Sequence, residues 1–291
     1  MATVYSLVCW GGRTGKSVTA SNSSGLLFAS TNHGLRDGTG LVFSGTTAPG
    51  NVTFGVTYYA KSLSANTFAI YTEAALTNRV AWSSAGSGVI AKSALMLDYF
   101  DQYPGRWGAA GSERCYDGLA SFQSARVSNA ISTVGDFCEL GEEFDEYPTA
   151  KFTLNIPAYE TIVAPTVNGA WTSAWHGGVY GAGYRFACKP EIYDWGFVAS
   201  GIYQTLRGFS VILTGNNCQG LSILAVLSTF RDLMIYRLSG SGQAGIAISG
   251  VACSVDNILV AGIQGEGISF SQYAGSACTV SNCLATKCTT G

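Results

Sequence analysis

Six carboxylates lie within eleven residues and form the densest group in this sequence that could perform acid–base chemistry. They are Asp136, Glu139, Glu142, Glu143, Asp145 and Glu146. Two carboxylates held about 5 to 9.5 Å apart across a sugar ring can hydrolyse a glycosidic bond. The run lacks the DxDxDG spacing of a calcium loop. We interpret it as a solvated acidic loop.

Aromatic residues gather in a glycine-rich stretch and are the candidate glycan-contact residues. They are Trp171, Trp175, His176, Tyr180 and Tyr184. Aromatic faces can stack on sugar rings, but large aromatic side chains also fill irregular junctions. No serine or cysteine near His176 has the spacing of a known nucleophile motif. The sequence therefore predicts no catalytic residue.

Phosphate and metal sites are also not predicted. The segment GGRTGKS at 11–17 is one residue short of a phosphate-binding loop, because Trp10 stands where its first glycine belongs. We expect a turn between strands there. Nine cysteines without a CxxC pair and two histidines lack the ligand spacing of a zinc site. We expect neither a metal nor a cofactor.

Composition excludes several classes of protein. The 291 residues are 47% hydrophobic and 12% charged, with a formal charge of -2. Disordered chains are more polar than this. No apolar segment approaches the length of about 20 residues that a membrane span requires, so no membrane insertion is expected. The absence of a basic block argues against a nucleic-acid partner.

An internal repeat predicts the architecture. The segments LRGFSV, FRDLMI, VDNILV and VSNCLA begin at 206, 230, 255 and 280, with offsets of 24, 25 and 25 residues. A second series, GLSI, GIAI and GISF, begins at 220, 245 and 267. Each repeat holds two short apolar strands and is too short for a propeller blade. Strands that recur once per repeat predict a parallel β-helix.

Equivalent positions of successive coils should stack about 4.8 Å apart. The third position of the first series predicts a turn ladder of hydrogen-bonded side chains. It is occupied by Gly208, Asp232, Asn257 and Asn282. Arg231 and Asp256 are predicted to pair between coils at the surface.

Cys253 and Cys278 also fall in register. Their expected Cα separation lies within the disulfide range, so the pair is either a disulfide or a stack of reduced thiols.

The rest of the chain divides by pattern. Residues 18–91 carry short alternating strands between turn signals and predict a small antiparallel sandwich or barrel. Residues 92–151 form a connector with one helix, which we expect to run from an N-cap at Ser112 to about Val127, with Cys115, Leu119 and Phe122 on one face. Residues 152–291 begin the β-helix, with regular coils from about 206. The last repeat is incomplete at Gly291, so we expect a longer chain or a partner that covers the end.

Several motifs resemble the N-terminal region of tailed-bacteriophage virion proteins. They are YSLVCWGGRTGKSVT at 5–19, TNHGLRDGT at 31–39, TYY at 57–59, ANTF at 65–68, RWG at 106–108, SERCYDG at 112–118 and WHGG at 175–178. The resemblance implies a mainly β protein in which an N-terminal attachment segment, here residues 1–17, and a small β module precede a right-handed parallel β-helix. It supplies no catalytic signature.

The resemblance also implies a function. We expect the particle-anchoring N-terminal part of a tail- or neck-associated spike or fibre that takes part in host adsorption. Such a protein is located in the virion, is assembled in the host cytoplasm, contacts other tail, neck or baseplate proteins and forms a homotrimer. Two alternatives involve a host surface polysaccharide: a tailspike depolymerase or lyase with its site beyond Gly291, and a non-catalytic glycan-binding module.

Overall fold

The computed structural model describes most of the chain and divides it into two compact units. The described residues are 4–21, 26–129, 136–147, 154–156, 158–164, 176, 182–188, 195–214, 216, 218–238, 242–270 and 277–288. One unit is Leu7–Gly118, and the other combines Met1–Ser6 with Leu119–Gly291.

The Leu7–Gly118 unit is built on a seven-stranded antiparallel sheet. Its strands are β2 (Lys16–Ser17), β3 (Thr19–Ala20), β4 (Phe28–Ala29), β5 (Gly40–Ser44), β6 (Thr57–Ser64), β7 (Thr67–Tyr71) and β8 (Ile90–Ser93), in the spatial order β2-β8-β5-β6-β7-β4-β3. The strands at the two edges are consecutive in the chain, joined at Val18, whose N–H donates to the Val89 carbonyl at 3.0 Å. The sheet therefore curls into a small barrel, and the predicted antiparallel β module is confirmed.

Aromatic side chains fill this barrel. Alternate residues of β5 and β6 are buried, which is the period of a strand with one face in a core. Phe28 is fully buried and its ring lies 4.9 Å from Phe43, 5.5 Å from Phe68 and 4.8 Å from Trp82, measured between ring centroids. These contacts hold the sheet closed.

The same unit contains helix α1 (Ala94–Gln102) after the barrel. Ser93 caps it, because its Oγ accepts the N–H of Met96 at 3.2 Å. Strand β1 (Val4–Val8) then pairs in parallel with β9 (Cys115–Tyr116) through Leu7 and Val8.

The helix prediction was wrong in two respects. Cys115 lies in β9, so helix α2 (Leu119–Asn129) begins seven residues after Ser112. The described residues of the connector also hold two helices rather than one, since α1 precedes α2.

The second unit is a parallel β-solenoid of about four turns. Its strands are β10 (Asp136–Leu140), β11 (Asp145–Glu146), β12 (Leu154–Ile156), β13 (Thr161–Val163), β14 (Arg185–Cys188), β15 (Trp195–Ala199), β16 (Thr205–Arg207), β17 (Ser210–Leu213), β18 (Cys218–Ile223), β19 (Thr229–Arg237), β20 (Gly242–Ile248), β21 (Ser254–Ala261), β22 (Glu266–Phe270), β23 (Thr279–Ser281) and β24 (Leu284–Thr286).

Three parallel ladders run along the solenoid. They are β10-β13-β16-β19-β21-β23, β11-β14-β17-β19-β21-β24 and β12-β15-β18-β20-β22. The predicted register is confirmed, because Leu206, Phe230, Val255 and Val280 are paired in succession. Parallel pairing already includes β10 and β11, upstream of residue 152, where we expected the solenoid to begin.

The predicted turn ladder has a clear backbone cause. Gly208, Asp232, Asn257 and Asn282 all adopt the left-handed conformation, with φ of 86°, 52°, 52° and 52°. Glycine, asparagine and aspartate visit this region more readily than other residues do. The position bends each rung between two ladders, which explains the residue types found there.

Candidate functional site

One corner of the solenoid repeats an unusual backbone conformation on five rungs. Tyr159, Tyr203, Leu227, Ala252 and Ala277 have φ of 62°, 54°, 53°, 53° and 86°. Residues with large side chains seldom adopt this left-handed conformation. Its repetition at equivalent positions indicates that stacking of the rungs imposes it, whatever the residue type.

Around this corner, six large apolar side chains are 36% to 52% exposed. They are Tyr159, Ile202, Tyr203, Leu224, Leu227 and Val251, and we call them the apolar ridge. Ile202, Val226 and Val251 are bridged in succession, so the ridge crosses several rungs. The segments 201–204, 224–228 and 249–253 contain no charged residue. Large exposed apolar patches often mark interaction sites, which makes the apolar ridge a candidate functional surface.

The ridge includes one pair of stacked aromatic rings. Tyr159 and Tyr203 lie on neighbouring rungs with their ring centroids 5.5 Å apart and their planes inclined by 29°. Their exposed fractions are 38% and 52%. The pair therefore offers an aromatic surface to a ligand or partner.

The residue that directly follows each left-handed position of this corner points into the solenoid. Together these residues form an inner ladder. Its members are Glu160, Gln204, Ser228, Cys253 and Cys278, each directly before paired strand residues. The first four are buried and Cys278 is half-buried. The N–H of Gln204 donates to Ser228 Oγ at 2.9 Å, and the N–H of Cys253 donates to Cys278 Sγ at 3.5 Å. Both thiols are free.

Asp232 organises the turn ladder. Its carboxylate accepts hydrogen bonds from Arg207 Nε at 2.8 Å and from Asn257 Nδ2 at 2.7 Å. The predicted hydrogen bond between coils is therefore present for Asp232 and Asn257. These contacts give Asp232 a structural role.

Asp256 is held by the following rung. It accepts from Ser281 Oγ at 2.7 Å and from Asn282 Nδ2 at 2.9 Å, so Asn282 bonds to Asp256 rather than to the ladder residue before it. These hydrogen bonds, with the nearby Arg231, lower the pKa of Asp256 below its ordinary value. The predicted surface pair is confirmed, with Arg231 Nε 3.4 Å from Asp256 Oδ2. Arg231 is half-exposed, so the pair adds little stability.

Of the five candidate glycan-contact residues, Trp171, Trp175 and Tyr180 lie outside the described residues. His176 is buried, and its Nε2–H donates to the Asp232 carbonyl at 2.7 Å. Burial lowers the pKa of His176. Tyr184 is fully buried. Neither of these two residues offers an exposed ring face to a sugar, so we leave both out of the glycan-binding hypothesis.

The acidic run is not a solvated loop, and that prediction was wrong. Glu139, Glu142, Asp145 and Glu146 are buried. Glu146 caps α2 from a distant strand, because its carboxylate accepts the N–H groups of Leu119 at 2.6 Å and Ala120 at 2.8 Å.

Glu146 has a second partner in the solenoid interior, the hydroxyl of Tyr184. Burial, followed by the Glu146 charge, raises the pKa of Tyr184 well above its ordinary value.

Asp145 forms an ion pair with Arg185 on the same first rungs. Burial alone would lower the pKa of Arg185, but the Asp145 hydrogen bonds and charge raise it above its ordinary value. The acids therefore hold the start of the solenoid together. No sequence signal near the run identifies these partners, since Arg185 lies 40 residues away.

The segment that resembles a phosphate-binding loop is a turn between β1 and β2, as predicted. The N–H groups of Gly12, Arg13 and Gly15 donate to the carbonyls of Cys9, Cys115 and Gly11 at 2.9, 3.2 and 2.8 Å. Because these donors are used within the protein, they do not form a cradle for phosphate.

A shallow pocket of about 320 Å³ lies beside the end of α1. Phe100, Tyr103 and Trp107 line it together with the carboxylates of Asp101 and Glu113. Its volume is at the lower end of the range for small-molecule sites.

The described residues contain neither a candidate metal cluster nor a helix that could span a membrane. No group of three or more histidine, cysteine, aspartate or glutamate side chains there could hold a metal ion. Within the same part of the chain, neither helix has the length and hydropathy needed to cross a bilayer.

The apolar ridge is the feature that sequence analysis missed. A signal for it exists three residues upstream of the aligned repeat, in YETIV at 159–163, YQTLR at 203–207, LSTFR at 227–231, ACSVD at 252–256 and ACTVS at 277–281. The first copy precedes the second by 44 residues, so it does not fit a repeat of about 25 residues.

Comparison with known proteins gives no family. No protein-family description, curated protein or solved structure matches this chain. An antiparallel sheet followed along the chain by a parallel β-solenoid is therefore the most specific description at this point.

Proposed function

We propose that this chain is a structural component of a tailed-bacteriophage particle. In this proposal it is the particle-anchoring part of a tail- or neck-associated spike or fibre that takes part in host adsorption. The observation that carries the proposal is the order of two folds in one chain, with the small antiparallel barrel before the parallel β-solenoid. This is the order that the motifs at 5–19 and 31–39 imply.

The apolar ridge supports the homotrimer in this proposal. The ridge follows the stacking direction, so copies with parallel axes can place ridge beside ridge with matched rung spacing. Tyr203 and Leu227 are its most exposed members, at 52% and 50%. Burying these side chains between copies would remove the largest uncharged apolar surface at this corner from water.

The location is tested on particles whose genome encodes this chain. Immunogold electron microscopy with antibodies against the purified protein should label the tail or neck. Particles that carry no label, with the chain found only in the host cell extract, would overturn the proposal.

The trimer is tested by sedimentation equilibrium of the purified chain. We expect a mass three times that of the 30.4 kDa protomer. The double variant Tyr203→Ser with Leu227→Ser should sediment as a monomer with an unchanged circular dichroism spectrum. Leu63→Ser is the matched control, because Leu63 is 49% exposed in the barrel and lies off the ridge. A monomeric wild-type chain, or a variant that stays trimeric, contradicts the ridge as the contact.

A second candidate function rests on the stacked tyrosines. Exposed aromatic rings also bind sugars, so Tyr159 and Tyr203 replace the earlier candidates in the glycan-binding hypothesis. Binding of host surface polysaccharide that is lost in Tyr203→Ala, without release of reducing ends, would favour this module. Release of reducing ends would favour the depolymerase or lyase.

A further inference from the structure

Cys253 and Cys278 occupy the same position on neighbouring rungs of the inner ladder. The residues that follow them, Ser254 and Thr279, are paired in register. Neighbouring parallel strands lie about 4.8 Å apart, and disulfides form between Cα atoms about 4.4 to 6.8 Å apart. The backbone therefore already holds these two residues at a disulfide separation.

The contacts of Cys278 bring its sulfur onto the rung of Cys253. Cys278 Sγ donates to the Gly250 carbonyl at 3.2 Å and accepts the N–H of Cys253 at 3.5 Å. Cys253 Sγ points to the rung before, where it donates to the Ala225 carbonyl at 3.1 Å. A disulfide requires the Cys253 side chain to turn towards Cys278, and it replaces the weak S–H hydrogen bonds that the two thiols donate to these carbonyls.

We propose that Cys253 and Cys278 form an oxidisable pair that cross-links two rungs of the solenoid in the presence of a small disulfide such as oxidised glutathione. This proposal is independent of the proposed function. The product is an intramolecular staple between the segments before β21 and β23.

The half-buried Cys278 reacts first. Its thiolate attacks one sulfur of the small disulfide, forming a mixed disulfide and releasing one small thiolate. The thiolate of Cys253 then attacks Cys278 Sγ, forming the protein disulfide and releasing the second small thiolate. The two protons lost by the cysteines end on the two released thiols, so one external disulfide is reduced for each protein disulfide formed.

Burial supports this order. Cys253 is buried, and desolvation raises the pKa of its thiol. A buried thiol with a raised pKa is a poor first nucleophile towards a bulky reagent. The same thiol becomes competent once a mixed disulfide on Cys278 sits beside it, because the second step is intramolecular.

The test is treatment of the purified chain with oxidised glutathione, followed by non-reducing peptide mapping. We expect one linked peptide that contains Cys253 and Cys278, and a rise in the unfolding midpoint on the order of 5 °C that reductant reverses. Cys253→Ser should stop at a mixed disulfide on Cys278 and lose the rise in midpoint.

Matched variants keep the result interpretable. Cys278→Ser should fold normally, because Ser228 fills the equivalent position two rungs earlier and accepts the same type of N–H hydrogen bond. Cys283→Ser removes another half-buried thiol outside the pair and should leave the cross-link unchanged. A wild-type chain that forms only mixed disulfides, disulfides between chains or a bond to Cys283 overturns the proposal.

Discussion

The barrel and the solenoid organise their strands over different distances in the sequence. In the barrel, β5, β6 and β7 pair with their chain neighbours in antiparallel order, β6 with β7 across a short turn and β5 with β6 across a longer connection. In the solenoid, ladder pairs join strands from successive rungs, 24 or 25 residues apart from β16 to β21 and 44 residues apart between β13 and β16. A barrel position is thus defined by local alternation, whereas a solenoid position is defined by its equivalents on other rungs. One solenoid position can therefore become a stripe, as in the apolar ridge.

The largest expected effect is in the barrel core. Phe28→Ala removes a fully buried ring packed among three others and should lower the free energy of unfolding by about 3 to 5 kcal/mol. Urea unfolding followed by tryptophan fluorescence measures the loss. Val56→Ala, at a 45% exposed site of the same unit, is the control and should change stability by less than about 0.5 kcal/mol. Equal losses would show that the barrel has no such core.

In the solenoid, we expect a large loss of stability from a substitution where the backbones of two neighbouring rungs approach closely. A Cβ at Gly220 would lie 2.3 Å from the Gly245 carbonyl oxygen on the next rung. We expect Gly220→Ala to lower the free energy of unfolding by about 3 kcal/mol, because the rungs must separate. Chemical denaturation measures it.

Gly262→Asn provides the comparison for this glycine. Gly262 has φ of 71°, and a Cβ there would meet nothing within 4 Å. Asparagine tolerates this conformation, so the loss should stay near or below about 1 kcal/mol. An equally large loss at both sites would mean that backbone conformation, rather than rung contact, limits the solenoid.

A smaller effect is expected in the turn ladder. Asn257→Ala should cost about 2 kcal/mol, since it forces alanine into the left-handed region at φ of 52° and removes the hydrogen bond to Asp232. Asn257→Gly removes the same hydrogen bond but relieves the backbone, so it should cost about 1 kcal/mol. Thermal unfolding of the two variants separates the contributions, and identical losses would assign the whole effect to the hydrogen bond.

The smallest expected effect is the loss of folding stability in acid. Each unit contains one buried histidine that contributes to this loss. Burial lowers the pKa of His33 in the barrel and of His176 in the solenoid. The unfolded chain therefore binds more protons than the folded chain below the ordinary histidine pKa of about 6.5. This contribution to stability is complete above that pH and is lost as the pH falls below it.

The measurement is the unfolding midpoint between pH 7.5 and 5.5. His33→Gln and His176→Gln should each reduce the slope of the midpoint against pH, independently of their effect at neutral pH. A slope that neither substitution changes would contradict the assignment of acid sensitivity to the two buried histidines.

Prediction from the sequence succeeded where the same residue types recur. The register through Leu206, Phe230, Val255 and Val280 follows from a repeat whose strands can bury apolar faces only by stacking. The start of α2 was mispredicted because a helical spacing from Cys115 to Phe122 does not exclude a strand at its first residue. Tertiary pairing of β1 with β9 decided that residue.

The candidate site was less predictable for a related reason. Burial of the acidic run depends on Arg185 and on the amide groups at the start of α2, and both are distant in sequence. Likewise, the exposure of Tyr203 and Leu227 depends on a left-handed turn that their residue types do not favour. The local sequence pattern therefore indicates neither the burial of the acidic run nor the exposure of these two side chains.

By itself, the sequence determined an antiparallel β module, a parallel solenoid and the register of its repeats, because alternation and period are properties of the chain. Only the tertiary structure decided which carboxylates were buried and which apolar side chains remained outside. Those outcomes depend on partners that stacking brings together from distant segments, and the free energy of each contact exists only once the rungs have formed.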